Sequence, residues 1–190
     1  MKKLSMILVA LIAAGMMLTG CSLVPAAVQE TPEPTAVEAT SVPEATTSDD
    51  GTLTFSLTTL TEETLDQSIF TDNKLVMVNY WATWCGPCVA EIPDLIKISE
   101  DYADKGFAIV GVLTGDDDID GAKQFIADQG MNYPVVLLEE FFADNAVGIQ
   151  AIPTTMFFDS TGKQIGETVV GSRSYDDWAG LIDLLLTQVS

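Results

Sequence analysis

The chain has 190 residues, a formal charge of −20, no histidine and three cysteines. That length allows one domain plus extensions. The acidity argues against binding nucleic acid or anionic lipid through surface charge, and the absence of histidine removes the commonest zinc and general-base side chain.

In chain order, Met1-Lys2-Lys3 is a basic start followed by an apolar run from Leu4 to Leu18. The run is shorter than the ~20 residues a spanning helix needs and reads as a secretory signal, residues 1–20. It ends in Leu18-Thr19-Gly20-Cys21, which resembles the bacterial lipobox. That resemblance implies cleavage before Cys21 and lipidation of its sulfur. Loss of Lys2 and Lys3 with the signal would take the charge from −20 to −22. Residues 21–51 hold Pro25, Pro32, Pro34 and Pro43 among Thr, Ala and acids, with no aromatic or basic residue. Such a stretch cannot bury enough apolar surface to offset its ordering entropy and is expected to be a disordered tether. The folded domain is expected over 52–190.

Leu53, Phe55 and Leu57 alternate with polar residues, as in a half-exposed strand. Thr61 to Ile69 reads as a short helix capped by Thr61. Leu75 to Trp81 is an almost unbroken apolar run, the mark of a strand buried on both faces. Trp84-Cys85-Gly86-Pro87-Cys88 follows, and a helix begins at about Gly86 with Val89, Ile92, Leu95, Ile96 and Ser99 on its inner face and Pro93 as a kink. Phe107–Leu113 reads as a second buried strand, Ile119–Asp128 as a helix with Phe125 and Ile126 inward, Tyr133–Leu138 as a strand and Glu139–Val147 as a helix. Thr154–Asp159 and Gln164–Val170 read as a hairpin. Ser174 to Asp177 open a last helix in capping-box fashion, with Trp178, Leu181, Ile182, Leu185 and Val189 inward. Alternating strands and helices followed by a hairpin indicate an α/β sheet with an antiparallel edge.

Two cysteines separated by two residues either supply part of a metal site or cycle between dithiol and disulfide. A zinc site needs further ligands, and with no histidine and Cys21 assigned elsewhere, no bound metal is expected here. A structural disulfide across so small a loop gives little stabilisation. At a helix N-terminus, by contrast, unpaired N–H groups and the macrodipole favour the Cys85 thiolate, the reactive species in disulfide exchange. Asp116 to Gly121 matches the start of a calcium loop, but its twelfth position is Ala127 rather than Glu. A solvated loop with acids at a helix N-terminus is expected instead.

The run Val78 to Cys88, together with Ile149-Gln150-Ala151-Ile152-Pro153-Thr154-Thr155, resembles the thioredoxin superfamily, and within it the TlpA/ResA-like membrane-attached thiol–disulfide oxidoreductases. The resemblance covers about Leu53 to Val189. It implies a thioredoxin-like α/β fold, a central mixed β-sheet flanked by helices, with an N-terminal β extension and a TlpA-type strand–helix insertion over Ile119–Val147. It further implies Cys85 as attacking thiolate, Cys88 as resolving thiol, and a cis Pro153 opposite the motif. Ile152 would pair with substrate backbone, and Trp81 and Trp84 would pack around Gly86-Pro87 and offer an apolar docking face. Plain thioredoxin has a buried aspartate where this chain has Asn79, which cannot shuttle a proton. Glu91, one helical turn after Cys88, matches the active-site glutamate of the TlpA/ResA group and is the expected proton acceptor.

The function so implied is an extracytoplasmic, lipid-anchored oxidoreductase whose only redox group is the cysteine pair, with no cofactor. Its partners would be exported protein disulfides, in cytochrome c maturation or methionine sulfoxide reductase support, and a membrane thiol transporter of the CcdA/DsbD type as electron donor. No nucleic acid partner is expected. Gly86-Pro87 is the dipeptide of plain thioredoxin, with a potential of about −270 mV against about −120 mV for DsbA, which favours reduction. A disulfide-forming oxidase would be told apart by its potential, a binding lipoprotein with a structural CxxC by slow alkylation of Cys85. Peroxide reduction is a weaker alternative, because the motif context argues against it.

Overall fold

The computed structural model describes residues 46–47, 53–138 and 140–189, all within one compact unit, 40–190. The expected signal, Cys21 and most of the tether lie outside the described residues. No helix among those described is long and apolar enough to cross a membrane.

The chain enters as two short antiparallel pairs. Strand β1 (Thr46–Thr47) pairs with β2 (Leu53–Thr54), and β3 (Ser56–Thr58) with β4 (Thr64–Asp66). Among the described residues the first paired strand is β1, on two β-branched residues suited to extended backbone. The helix expected from Thr61 to Ile69 is not formed. Leu57 sits opposite Leu65 and both are buried, so cross-strand burial outweighs the local capping signal. Thr61 instead belongs to the turn, in which Thr59 Oγ1 accepts the Glu63 N–H at 2.9 Å and Glu62 takes φ 66°. Helix α1 is confined to Ser68–Thr71.

The central sheet contains β5 (Leu75–Trp81), β6 (Phe107–Leu113), β7 (Val135–Leu137), β8 (Thr154–Asp159) and β9 (Gln164–Val170). Their order is β7-β6-β5-β8-β9. The first three are parallel, and β8 and β9 run antiparallel. Every residue of β5 is buried, as the unbroken apolar run requires.

Alternation along β5 sorts the core into two layers. Leu75, Met77 and Trp81 face α2 (Gly86–Tyr102), α3 (Ile119–Gln129) and α5 (Tyr175–Leu186). Val76, Val78 and Tyr80 face the entry hairpin, α1 and α4 (Glu140–Ala146). The same alternation sends Asn79 to the α2 side, which decides the chemistry described below. Gly111 in β6 has no side chain because a Cβ there would lie 3.1 Å from Trp81 Nε1.

Helix α2 runs Gly86–Tyr102 with Pro93 inside it. Its buried stripe is Cys88, Glu91, Ile92, Leu95, Ile98 and Tyr102. Val89, Ile96 and Ser99, expected on the inner face, flank this stripe half-buried. The stripe includes one charged residue, Glu91, which meets Asn79 of β5. Helix α5 opens as expected, with Ser174 as N-cap accepting from the Asp177 N–H. Trp178, Ile182 and Leu185 are buried, while Leu181 and Val189 are half-buried.

Candidate active site

Cys85 is placed at the N-terminus of α2 by the end of β5. Buried β5 fixes Trp81, three residues turn, and Pro87 sits in the first helical turn, where its missing N–H costs nothing. Cys85 and Cys88 form a disulfide with Sγ–Sγ 2.04 Å and Cα–Cα 5.2 Å. The two sulfurs are not equivalent. Cys88 is buried on the inner stripe of α2, whereas Cys85 lines a groove of about 610 Å³. Cys85 Sγ accepts the Cys88 N–H at 3.3 Å, so the helix N-terminus bears directly on it.

The Ile152–Pro153 bond is cis, as expected, and the Ile152 carbonyl oxygen lies 3.6 Å from Cys85 Sγ. Pro153 leads into β8, and its own carbonyl accepts the Gly171 N–H at 2.8 Å. Ile152 lines the groove with Ile149, Gln150, Ala151, Gly86 and Pro87.

The two tryptophans part company. Trp84 is 65% exposed and forms a groove wall. Trp81 is 2% exposed and packs against Phe125 in the core, so the docking surface expected of it is absent. As an inward-facing residue of β5, its ring belongs to the layer beneath the motif.

Glu91 is 2% exposed. It lies one turn after Cys88 on the same stripe, a spacing that brings Cβ atoms to roughly 5–6 Å. Its Oε1 accepts from Asn79 Nδ2 at 3.1 Å and its Oε2 from the Arg173 backbone N–H at 3.1 Å. Burial pushes the carboxyl pKa up. These donors, the nearby Trp178 indole and the Arg173 charge pull it down without reversing the shift. Among the described residues the Trp178 N–H itself has no partner at hydrogen-bond geometry. Asn79 Nδ2 also donates to Thr155 Oγ1 at 3.0 Å, tying the carboxyl to the strand that follows Pro153. The residue that replaces an acid in β5 thus holds the acid supplied by α2.

Sequence reasoning missed the loop after β6. Asp116 accepts from the Thr83 N–H at 2.8 Å and from Thr83 Oγ1 at 2.6 Å. Next to it Gly115, at φ 69°, presents its carbonyl to Trp84 Nε1 at 2.9 Å. The signal available was topological, since functional groups gather beyond the carboxyl ends of parallel strands, where β5 and β6 both end. Asp116, engaged by Thr83, and Asp118, capping α3 through the Gly121 N–H, serve the fold as turn and helix-N-terminal acids. Asp116→Ala is expected to cost about 1–2 kcal/mol in urea unfolding, because it strips two bonds from the turn. Thr83→Ala should cost less, since the Thr83 N–H keeps its acceptor; equal midpoints for Asp116→Ala and the parent would dismiss the clamp.

The redoxin family model matches residues 38–177. The thiol–disulfide oxidoreductase ResA of Oceanobacillus iheyensis is 33% identical over 142 residues, covering 70% of each chain. ResA of Bacillus subtilis is 33% identical over 101 residues, 53% of this chain and 55% of that one. The match to ResA of Bacillus anthracis spans 62% of that protein's length. Among solved structures, a thiol:disulfide interchange protein of the thioredoxin family from Chlorobium tepidum superposes with TM-score 0.64 at 28% identity, over 78% of this chain and 99% of that one. StoA from Bacillus subtilis, at 18% identity and TM-score 0.58 over 73% of this chain and 99% of that one, shares the fold. The chain belongs to the redoxin family and is a ResA-like member of the thioredoxin superfamily.

Proposed function

We propose that the chain is an extracytoplasmic thiol–disulfide oxidoreductase that reduces disulfides in exported proteins, held at the membrane by lipid on Cys21. The observation that carries this reading is the asymmetry of the pair. Cys85 lines an apolar groove, and Cys88 lies buried one helical turn from a buried carboxyl.

In the reduced protein the Cys85 thiolate attacks one sulfur of the substrate disulfide, and the other substrate sulfur leaves as a thiolate and is protonated. Glu91 then takes the Cys88 proton. The Cys88 thiolate attacks Cys85 Sγ, the second substrate sulfur leaves, and the Cys85–Cys88 disulfide forms. Two electrons pass to the substrate. A membrane dithiol of the CcdA/DsbD type would return them, and no other cofactor takes part. Ile152 and Pro153, with Trp84, Gly86 and Pro87, form the wall against which substrate lies. Cytochrome c maturation and support of methionine sulfoxide reductases are the client classes in view.

Direction is tested by equilibrating the pair with glutathione and reading the dithiol fraction by alkylation. A potential near −270 mV is expected, and one near −120 mV would make the protein an oxidant of thiols instead.

A further inference from the structure

Glu91 is approached by three elements besides its own helix. Strand β5 supplies the Asn79 amide to Oε1, and the loop before α5 supplies the Arg173 N–H to Oε2. Both Asn79 hydrogens are committed, since Nδ2 also donates to Thr155. A carboxylate offers about four acceptor positions, so each oxygen has room for a further donor. The third element is α5, which brings the Trp178 indole.

Trp178 is fully buried, and its place is set by α2 on one side and β8 on the other. Ser174 caps α5, and the Tyr175 N–H donates to Asp94 of α2 at 3.1 Å. The Trp178 ring stands edge-on to Phe157 of β8, with centroids 6.2 Å apart. Phe157 lies two residues after Thr155 on the same face of the strand. A phenylalanine at 178 would make that apolar contact too. What the indole adds is an N–H, and a buried indole ordinarily finds a partner for it. Among the described residues this N–H has none at hydrogen-bond geometry, yet the indole is near enough to Glu91 to favour the charged carboxylate. The Trp81 N–H, also buried without a partner among the described residues, faces Gly111 instead, where a Cβ would lie 3.1 Å from it.

The other titratable or charged groups about Glu91 are Cys88, one turn earlier on α2, the Arg173 guanidinium, whose charge favours the carboxylate, and Tyr133. Burial first, and the Glu91 charge after it, hold the Tyr133 hydroxyl above its ordinary value and so un-ionised.

We propose that Trp178 is a positioning residue for the redox reaction, its indole N–H being the third donor that holds the Glu91 carboxylate ready for the Cys88 proton. This rests on Glu91 as the proton acceptor in the reading above and adds the residue that keeps it charged. In that step the Cys88 S–H bond breaks and a Glu91 O–H bond forms, and the thiolate electron pair left on Cys88 then attacks Cys85 Sγ. A donor to the charged form opposes the effect of burial, so more of the protein is ready to take the proton at neutral pH.

The test begins with the oxidised protein, in which the cysteines are tied in the disulfide and do not titrate. NMR follows the Glu91 carboxyl carbon, assigned by its loss in Glu91→Gln, and the indole N–H signals between about pH 4 and 9. In the parent the Trp178 N–H is expected to titrate together with Glu91, and the Trp81 N–H to stay still. In Glu91→Gln the Trp178 signal should no longer titrate. Trp178→Phe should raise the Glu91 midpoint by about one pH unit, the size expected of a hydrogen bond to a charged group. Ile182→Val, buried on the same helix, loosens the packing without touching the donor and should leave the midpoint in place. In the reduced protein, acid-quench timing should show resolution of the Cys85 mixed disulfide slowed about tenfold in Trp178→Phe below the parent's midpoint, and by less above it. A Trp178 signal indifferent to Glu91, a Trp178→Phe midpoint equal to the parent's, or an equal shift in Ile182→Val overturns the proposal while Glu91 stands as acceptor. If Trp178→Phe does not fold, the indole titration in the parent and in Glu91→Gln decides. An undiminished resolving rate in Glu91→Gln overturns both readings.

Discussion

Cys88→Ser is expected to react once with a disulfide substrate and then stop, holding the substrate on Cys85 as a mixed disulfide. Cys85→Ser should give neither turnover nor adduct. In both variants multiple-turnover reduction should fall at least about a thousandfold, because nucleophile and resolving group act as a unit. The asymmetry follows from access, since Cys85, though only 6% exposed, lines the groove and Cys88, at 1%, does not. Intact-mass measurement of the two variants after exposure to a peptide disulfide checks it. A stable adduct on Cys88 in Cys85→Ser would reverse the assignment.

Glu91→Gln should slow the resolving step by roughly a hundredfold, at the low end of what a positioned base contributes, while leaving the first attack by Cys85 little changed. Stability should move in the opposite sense. Burial raises the Glu91 pKa above its ordinary value. A carboxyl whose folded pKa is raised gives stability that is present in full below the unfolded value, near pH 4.5, and lost as pH rises through the folded value. At pH 7 and above the parent therefore carries the cost of a buried carboxylate that Gln does not. Glu91→Gln is expected to melt no lower than the parent at pH 7–8, with the difference narrowing or changing sign toward pH 4. Lower activity with undiminished stability separates a proton acceptor from a structural carboxyl; a variant that loses stability at pH 8 and keeps its resolving rate would make Glu91 structural.

Much of this arrangement was legible in the chain because its signals are local. An apolar run, two cysteines, a helix-starting proline and the Ile152-Pro153 pair each dictate their own backbone, and the elements they imply are those found. The burial of Glu91 was legible only as a possibility of spacing. What establishes it is the alternation of β5, which turns Asn79 inward to meet it, and the arrival of Arg173 from a loop 82 positions away. The Thr61 helix failed for the converse reason, since a sound local cap gave way to the long-range gain from burying Leu57 against Leu65. The Asp116 clamp joins residues 33 positions apart, and nothing in either segment alone announces it. Trp81 and Trp84 look alike in sequence, and only the point at which β5 ends decides that one is core and the other surface.

The central claim is that this pair delivers two electrons to a substrate disulfide, which is joined to Cys85 and then displaced from it by Cys88. Its most direct measurement is a single turnover: fully reduced protein mixed with an equimolar disulfide peptide, quenched in acid at intervals, and mapped by mass spectrometry. The account predicts a transient adduct on Cys85, followed by reduced peptide and the Cys85–Cys88 disulfide in equal amounts. A first adduct on Cys88, or a protein that stays dithiol while the peptide stays oxidised, would contradict it.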